Sequence, residues 1–436
     1  MRPIKTSHEE QGDLFKVELK RIVDLSHELI KLGAKMDWES FDKKFEKYYC
    51  EEGRPGIETR LMVSLHYLKY LADLSDEETV QRWIENPYWQ YFSGRQYFEH
   101  MIPIDSSSMT RWRRRIGEDG AEELLKQTIR TGLREGYVKQ SDCRRVNVDT
   151  TVQPKNVRFP TDARLYDRMR EKLVKQARLE GIELRQTYER VGKQLLMRQQ
   201  NYSHARQPAR AMRQTKKLKT LLGRVIRDIE RKTLNCGMLQ DKLTLAKRLY
   251  EQKRDDSNKI YSIHEPQVQC IAKGKAHKKY EFGNKAGYVT TAKGNWIVGA
   301  IGFTSNVYDG HTLGRTLRQA EEITEIEIEQ AVVDKGYRGH KLETRNILIV
   351  PKKKRHASRS LRNWWKRRSA IEPIIGHQKS EHRLDCNRLY HVIGDQINPI
   401  LSACGFNFKK LLRAFCPYMK FDFQSVFKSD FQLLVA

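Results

Sequence analysis

No stretch of the 436-residue chain approaches the roughly 18–20 consecutive apolar residues that an α-helical membrane span requires. Residues 1–10 are polar and hold no signal-peptide core. The seven cysteines (Cys50, Cys143, Cys236, Cys270, Cys386, Cys404 and Cys416) are scattered, odd in number and never spaced C-x-x-C. That pattern excludes a disulfide framework and a structural zinc site, and a reducing cytoplasm is expected. No fixed-period repeat is present. Acid is also short: 55 Asp and Glu stand against 82 Lys and Arg, a net charge of +27. With 39% hydrophobic and 9% aromatic residues the chain folds rather than forming a charged disordered tail. Such a surplus calls for a polyanion. Nucleic acid is the usual one, because each neutralised phosphate releases counterions. Ribosomal, membrane-surface and heparin-type partners are compatible with charge alone.

The first third reads as helical. Apolar residues from Leu14 to Leu32 recur at helical spacing. Arg54-Pro55-Gly56 breaks the chain, and Leu61, Leu65, Leu68 and Leu71 then stripe a second helix. Ser75 and Glu78 form a capping-box pattern. Asp105 or Ser106 is placed to cap a helix with Met109, Trp112 and Ile116 on one side, which also carries Arg111, Arg113, Arg114 and Arg115. An arginine-rich last helix suits a helix-turn-helix module meeting DNA. A plain helical bundle with a solvated basic face is the other reading.

From 161 to 235 there are 20 Lys and Arg against 8 Asp and Glu, with no strand-like alternation. Leu165, Met169, Leu173 and Leu179 make one helical stripe; Leu218, Leu221, Leu222, Val225 and Ile229 make another. A turn at 201–208 between them suggests an antiparallel helical hairpin, either a DNA clamp or a dimerising element.

Strands bracket this insertion. Residues 144–152 alternate, and 267–271, 288–291, 296–301, 329–333 and 346–350 read as further strands. Helices are expected at 311–322 and 361–379, the second having to accommodate Pro373. The order implies an α/β fold, a mixed sheet flanked by helices. Three acids stand out: Asp149 on the first strand, Asp334 just after Val333, and Glu372 on the last helix. Carboxylates brought together repel unless cations bridge them. Hard oxygen ligands favour Mg²⁺ or Mn²⁺, and two such ions suit in-line phosphoryl displacement. Separately each acid has a plain role: a strand-end turn for Asp149, a loop cap for Asp334, and a pair with Arg368 one turn earlier for Glu372.

The run Arg368-Ser369-Ala370-Ile371-Glu372, continuing to Lys379, resembles the Y-(2)-R-(3)-E-(6)-K signature of insertion-sequence DDE transposases. Together with Asp334-Lys335-Gly336-Tyr337-Arg338-Gly339, Val148-Asp149-Thr150 and the segment Arg54 to Gly117, it is similar to the IS-five family of bacterial transposases. The likeness covers about 54–160 and 260–410. It implies an RNase H-like catalytic fold at 141–160 and 256–420, a helical DNA-binding domain at 1–140, the basic insertion at 161–255 and a tail at 421–436. It further implies that Asp149, Asp334 and Glu372 hold Mg²⁺, with Mn²⁺ able to substitute, while Arg368 and Lys379 contact DNA phosphate. Arg111, Arg113, Arg114 and Arg115 would bind terminal repeats. The expected activity is cleavage of double-stranded DNA and strand transfer to a target, by at least a homodimer on DNA. Trp365 stands where the family has tyrosine, and is read as packed in the core. An inactive DNA-binding regulator, a non-transposing nuclease and, more weakly, an RNA-binding protein are the alternatives.

Overall fold

Two short helices replace the single one expected over 14–32. In the computed structural model, which describes residues 16–50, 52–53, 55–232, 237–272, 279–342, 346–351 and 358–416, α1 (Leu19–Ile22) and α2 (Glu28–Lys35) are separated by a turn. Asp24 takes the Ser26 N–H and hydroxyl, each at 2.8 Å, and the His27 ring caps α2 at the Leu29 N–H. These local bonds outcompete helix continuation, and Val17, Ile22 and Leu25 are left exposed. Leu14, Arg54, Cys236 and the tail 421–436 lie outside the described residues.

Of the next five helices, three follow the expected signals and two are unexpected. After the unexpected α3 (Trp38–Phe45) comes α4 (Thr59–Leu71), then α5 (Asp76–Glu85), which opens on the full Ser75/Glu78 capping box. Pro87 begins the unexpected α6 (Pro87–Phe92), where its missing N–H costs nothing. Asp105 caps α7 (Ser106–Arg134), which kinks at Gly117 (φ 65°, ψ −160°). A short α8 (Gln140–Cys143) leads into β1 (Arg145–Pro154).

The basic segment forms α9 (Asp162–Leu179), α10 (Glu189–His204), α11 (Pro208–Lys232) and α12 (Gly237–Glu251). The expected turn at 201–208 is present, but it joins α10 to α11. The 165–179 stripe lies on α9, a separate helix, so the two stripes are not the arms of one hairpin, and four helices stand where two were expected. Then follow β2 (Gln269–Ile271), β3 (Glu281–Thr291), β4 (Ile297–Gly302), α13 (Asp309–Thr324), β5 (Gln330–Val333) and β6 (Asn346–Ile349). Last come α14 (Arg359–Arg368), α15 (Ile371–Glu381) and α16 (His391–Phe415). The expected 361–379 helix is therefore two, with Pro373 in the first turn of α15 where no helical N–H is needed.

The sheet order is β2-β3-β1-β5-β6, with β4 also on β3. β4 pairs antiparallel with β3. Bonds from Lys155 N to Phe282 O and from Ala292 N to Arg145 O show β1 and β3 antiparallel as well. β5 joins β1, and β6 joins β5, in parallel.

The chain divides into two compact units, 1–153 with 285–436, and 154–284. In the first, one hydrophobic core runs from the N-terminal helices (Phe41, Leu65, Trp83, Leu124) to the sheet (Val146, Val289, Ala331) and to α16 (Ile400, Phe408). The expected domain boundary at 140/141 is therefore not a break in packing. α16 packs on both α4 and α7 and on β4, joining the helical part to the sheet. The second unit has its own core, from α9 (Met169, Leu173), α11 (Leu222, Ile229), α12 (Leu243, Leu249) and the following Ile260. Leu179, placed in the α9 stripe from spacing, is 72% exposed.

Candidate active site

Asp149 lies on β1 between buried Val148 and buried Thr150. β5 runs parallel beside it, Asn147 opposite Val332. Continuing that register by two residues brings Asp334, the first residue beyond β5, opposite Asp149. Asp334 accepts the Gly336 N–H at 2.8 Å and so caps the single 3-10 turn Lys335–Tyr337. Its plain role as a loop cap and its place on the rim are thus the same geometry. Glu372 is the second residue of α15, and Arg368 the last of α14. Asn147 ties these helices to β1 by donating to the Arg367 carbonyl at 3.2 Å.

The three acids meet at one guanidinium. Arg368 Nη1 donates to Glu372 Oε1 at 2.9 Å, Nη2 donates to Asp149 Oδ2 at 2.9 Å, and Nη2 lies 3.6 Å from Asp334 Oδ2. The Arg368 side chain is 14% exposed, while Glu372 stays open at 61%. One positive charge among three carboxylates leaves a net negative, oxygen-lined rim. Among the described residues no three His, Cys, Asp or Glu side chains stand close enough to enclose a metal ion; Arg368 fills the space between the acids.

A fourth acid belongs to this rim and was not foreseen. Asp309, the first residue of α13, accepts from Thr150 Oγ1 at 2.8 Å and from Lys285 Nζ at 2.9 Å. A Cβ on Gly336 would sit 3.0 Å from Asp334 Oδ1 and 3.4 Å from Asp309 Oδ2, so glycine leaves room for both carboxylates. Tyr337 is fully buried against this group. Burial first, and then the charges of Asp149, Asp309 and Asp334, hold its phenol far above the ordinary tyrosine range. The signal for Asp309 in the sequence was Lys285, a lysine within a buried strand, which needs a carboxylate partner.

Lys379 stands two turns beyond Glu372 on α15 and is half-buried. Trp365 is buried, as read from the sequence. Arg111, Arg114 and Arg115 are exposed on α7. Arg113 is not, which corrects its placement on a DNA-facing surface. It is 4% exposed and grips Asp76 with both terminal nitrogens, alongside Lys69. Spacing explains this, since 109, 112, 113 and 116 follow the i, i+3, i+4, i+7 pattern of one buried face.

Comparison with known proteins agrees with a DNA-processing class. Residues 17–115 match the family described as "Transposase domain (DUF772)". A Rhizobium meliloti protein described as "Uncharacterized protein ORF8 in nfe locus" is 49% identical over 207 residues, which is 48% of this chain and all of that protein. The chain belongs to the same family as that protein, and the match over its N-terminal helices supports a transposase-related role. No solved structure matches it. Among the described residues no helix is long and apolar enough to cross a membrane.

Proposed function

We propose that the protein is a DDE transposase of a bacterial insertion sequence, of the IS-five type, with an RNase H-like catalytic sheet. One observation carries this reading: acids from β1, the end of β5 and α15 converge within 3.6 Å of a single cationic group. A mixed sheet with two parallel strands on one side of β1 and antiparallel partners on the other supports the fold. The donor set fits a hard divalent ion, being three carboxylates and nothing softer. Asp149, Asp334 and Glu372 would hold Mg²⁺ or Mn²⁺. When bound, the ion supplies Lewis-acid stabilisation of the charge developing on the scissile phosphate. Asn147 fixes the α14–α15 junction to β1 and thereby the distance between Glu372 and Asp149. Arg368 and Lys379 supply positive charge for a DNA phosphate, and exposed Arg111, Arg114 and Arg115 face the transposon end. Cleavage leaves a 3′-hydroxyl that attacks target DNA directly, with no protein nucleophile. Two ends held together require at least a dimer.

The test uses the full chain and duplexes carrying the inverted ends that flank its gene, with Mg²⁺ or Mn²⁺. Wild type should nick the end and join a pre-cleaved end to target DNA. Asp149→Ala, Asp334→Ala and Glu372→Ala should each reduce both reactions to background while duplex affinity stays within a few-fold. Binding without nicking by wild type would make the protein a DNA-binding regulator instead. Nicking without joining would make it a nuclease.

A further inference from the structure

The second unit displays a strip of positive charge that its own core does not explain. Between Arg190 and Arg227 the chain has eleven Lys and Arg and no Asp or Glu. On α11, Arg210, Arg213, Lys217, Arg224, Arg227 and Arg231 are all exposed. Their spacing of three, four or seven residues places them in one line down the helix. The opposite side carries Ala211, Leu218, Leu222, Val225 and Ile229, and the last four enter the core with α9 and α12. Among the described residues none of the six forms an ion pair with a carboxylate. The nearby acids are engaged elsewhere: Glu189 with Arg178, Asp228 with Lys232 and Glu230 with Lys247. Like charges at three and four residues repel one another, and a helix serving only as scaffold would interleave glutamate at those steps.

We propose that this strip is a rail for the phosphate backbone of duplex DNA, separate from the arginines of α7. It rests on the duplex-DNA part of the function proposed above, and not on cleavage. The distance from Arg210 to Arg231 is about 31 Å at helical rise, close to the roughly 34 Å of one duplex turn. The rail therefore meets phosphates on both sides of a groove that is about 12 Å wide. Guanidinium and ammonium groups on solvated stems read charge and not base identity, so the rail binds without sequence preference. A dimer seam is the competing use of such a hairpin. The apolar stripe of α11 is already consumed by α9 and α12, and the exposed apolar residues left on the hairpin, Val191, Met197 and Met212, are too few to make a continuous seam.

The experiment measures affinity of the full chain for a 30-base-pair duplex of arbitrary sequence from 50 to 200 mM salt. The test variant carries Arg213→Gln, Lys217→Gln, Arg224→Gln and Arg227→Gln together. Losing four contacts should lower the slope of log affinity against log salt by about 3 to 4, so that the affinity lost over this range shrinks ~100-fold. The matched variant with Arg213→Lys, Arg224→Lys and Arg227→Lys should keep the wild-type slope, and unchanged helical circular dichroism in both reports an intact fold. An unchanged slope in the glutamine variant overturns the rail. So does a loss confined to RNA or single strands. A wild-type chain that binds duplex and never nicks it removes the cleavage reading and leaves the rail standing.

Discussion

His66 is fully buried on α4, with Nδ1 2.7 Å from the Met62 carbonyl and Nε2 3.3 Å from Arg113 Nη1. Arg113 can only donate, so Nε2 accepts and Nδ1 carries the proton, and the ring is neutral. Burial first, and then the Arg113 charge, push its pKa down to about 3. The unfolded chain therefore binds one more proton than the folded chain between about pH 6.5 and pH 3. Stability from this residue is complete above pH 6.5 and is lost as pH falls, at up to about 1.4 kcal/mol per unit. His382, pushed down to about 4 chiefly by burial, adds the same sign. Urea midpoints taken at steps from pH 7 to pH 4.5 should fall, and His66→Gln should make that decline shallower. Equal declines in the two proteins would show that this ring is not held neutral. The same buried group explains what was legible here. The three acids that converge on Arg368 stood out in the sequence because strand ends and a signature spacing mark them. The pairing of Arg368 with Glu372 was readable because it is one helical turn. Arg113 was misread by its charge, although its spacing from Met109 and Ile116 already pointed inward.

Elements were legible where periodicity and caps agree, as at α4, α5 and α7, where alternation marks β1, and where short apolar runs mark β5 and β6. They were misjudged where local side-chain bonds cut a periodic run, as Asp24 and His27 do before α2. α16 was not read at all, and it is the helix that ties the N-terminal helices to the sheet. Its fit is set at two glycines facing backbone. A Cβ on Gly302 of β4 would lie 2.0 Å from the Asp395 carbonyl oxygen of α16, and one on Gly405 would lie 2.6 Å from the Tyr70 carbonyl oxygen of α4. Neither neighbour is a side-chain tip able to swing aside. Gly302→Ala must push α16 off the sheet or distort β4, at a cost of about 3 kcal/mol or more. Thermal unfolding should show a clear drop in Tm for Gly302→Ala and little change for Gly376→Ala, whose added Cβ meets nothing. A melt unchanged at Gly302 would mean that α16 does not seat against β4 this closely.

At the scale of the whole molecule, two separate hydrophobic cores in one chain set an expectation for unfolding. All seven tryptophans (Trp38, Trp83, Trp89, Trp112, Trp296, Trp364 and Trp365) fall in the first unit. The second unit, built largely of α9, α10, α11 and α12, has none, yet contributes strongly to helical circular dichroism. Tryptophan fluorescence therefore follows the first unit alone, whereas ellipticity follows both. Each core melts as its own cooperative body, and the larger one, exposing more surface, has the steeper dependence on urea. The smaller core also has to hold the exposed like charges of α10 and α11 together, which lowers its midpoint at low salt and raises it as salt screens them. Fluorescence and ellipticity curves recorded on the same samples should not superimpose at low salt. An early ellipticity phase without any fluorescence change should move to higher urea as salt increases. Superimposable curves at every salt concentration would instead make the two cores a single cooperative body.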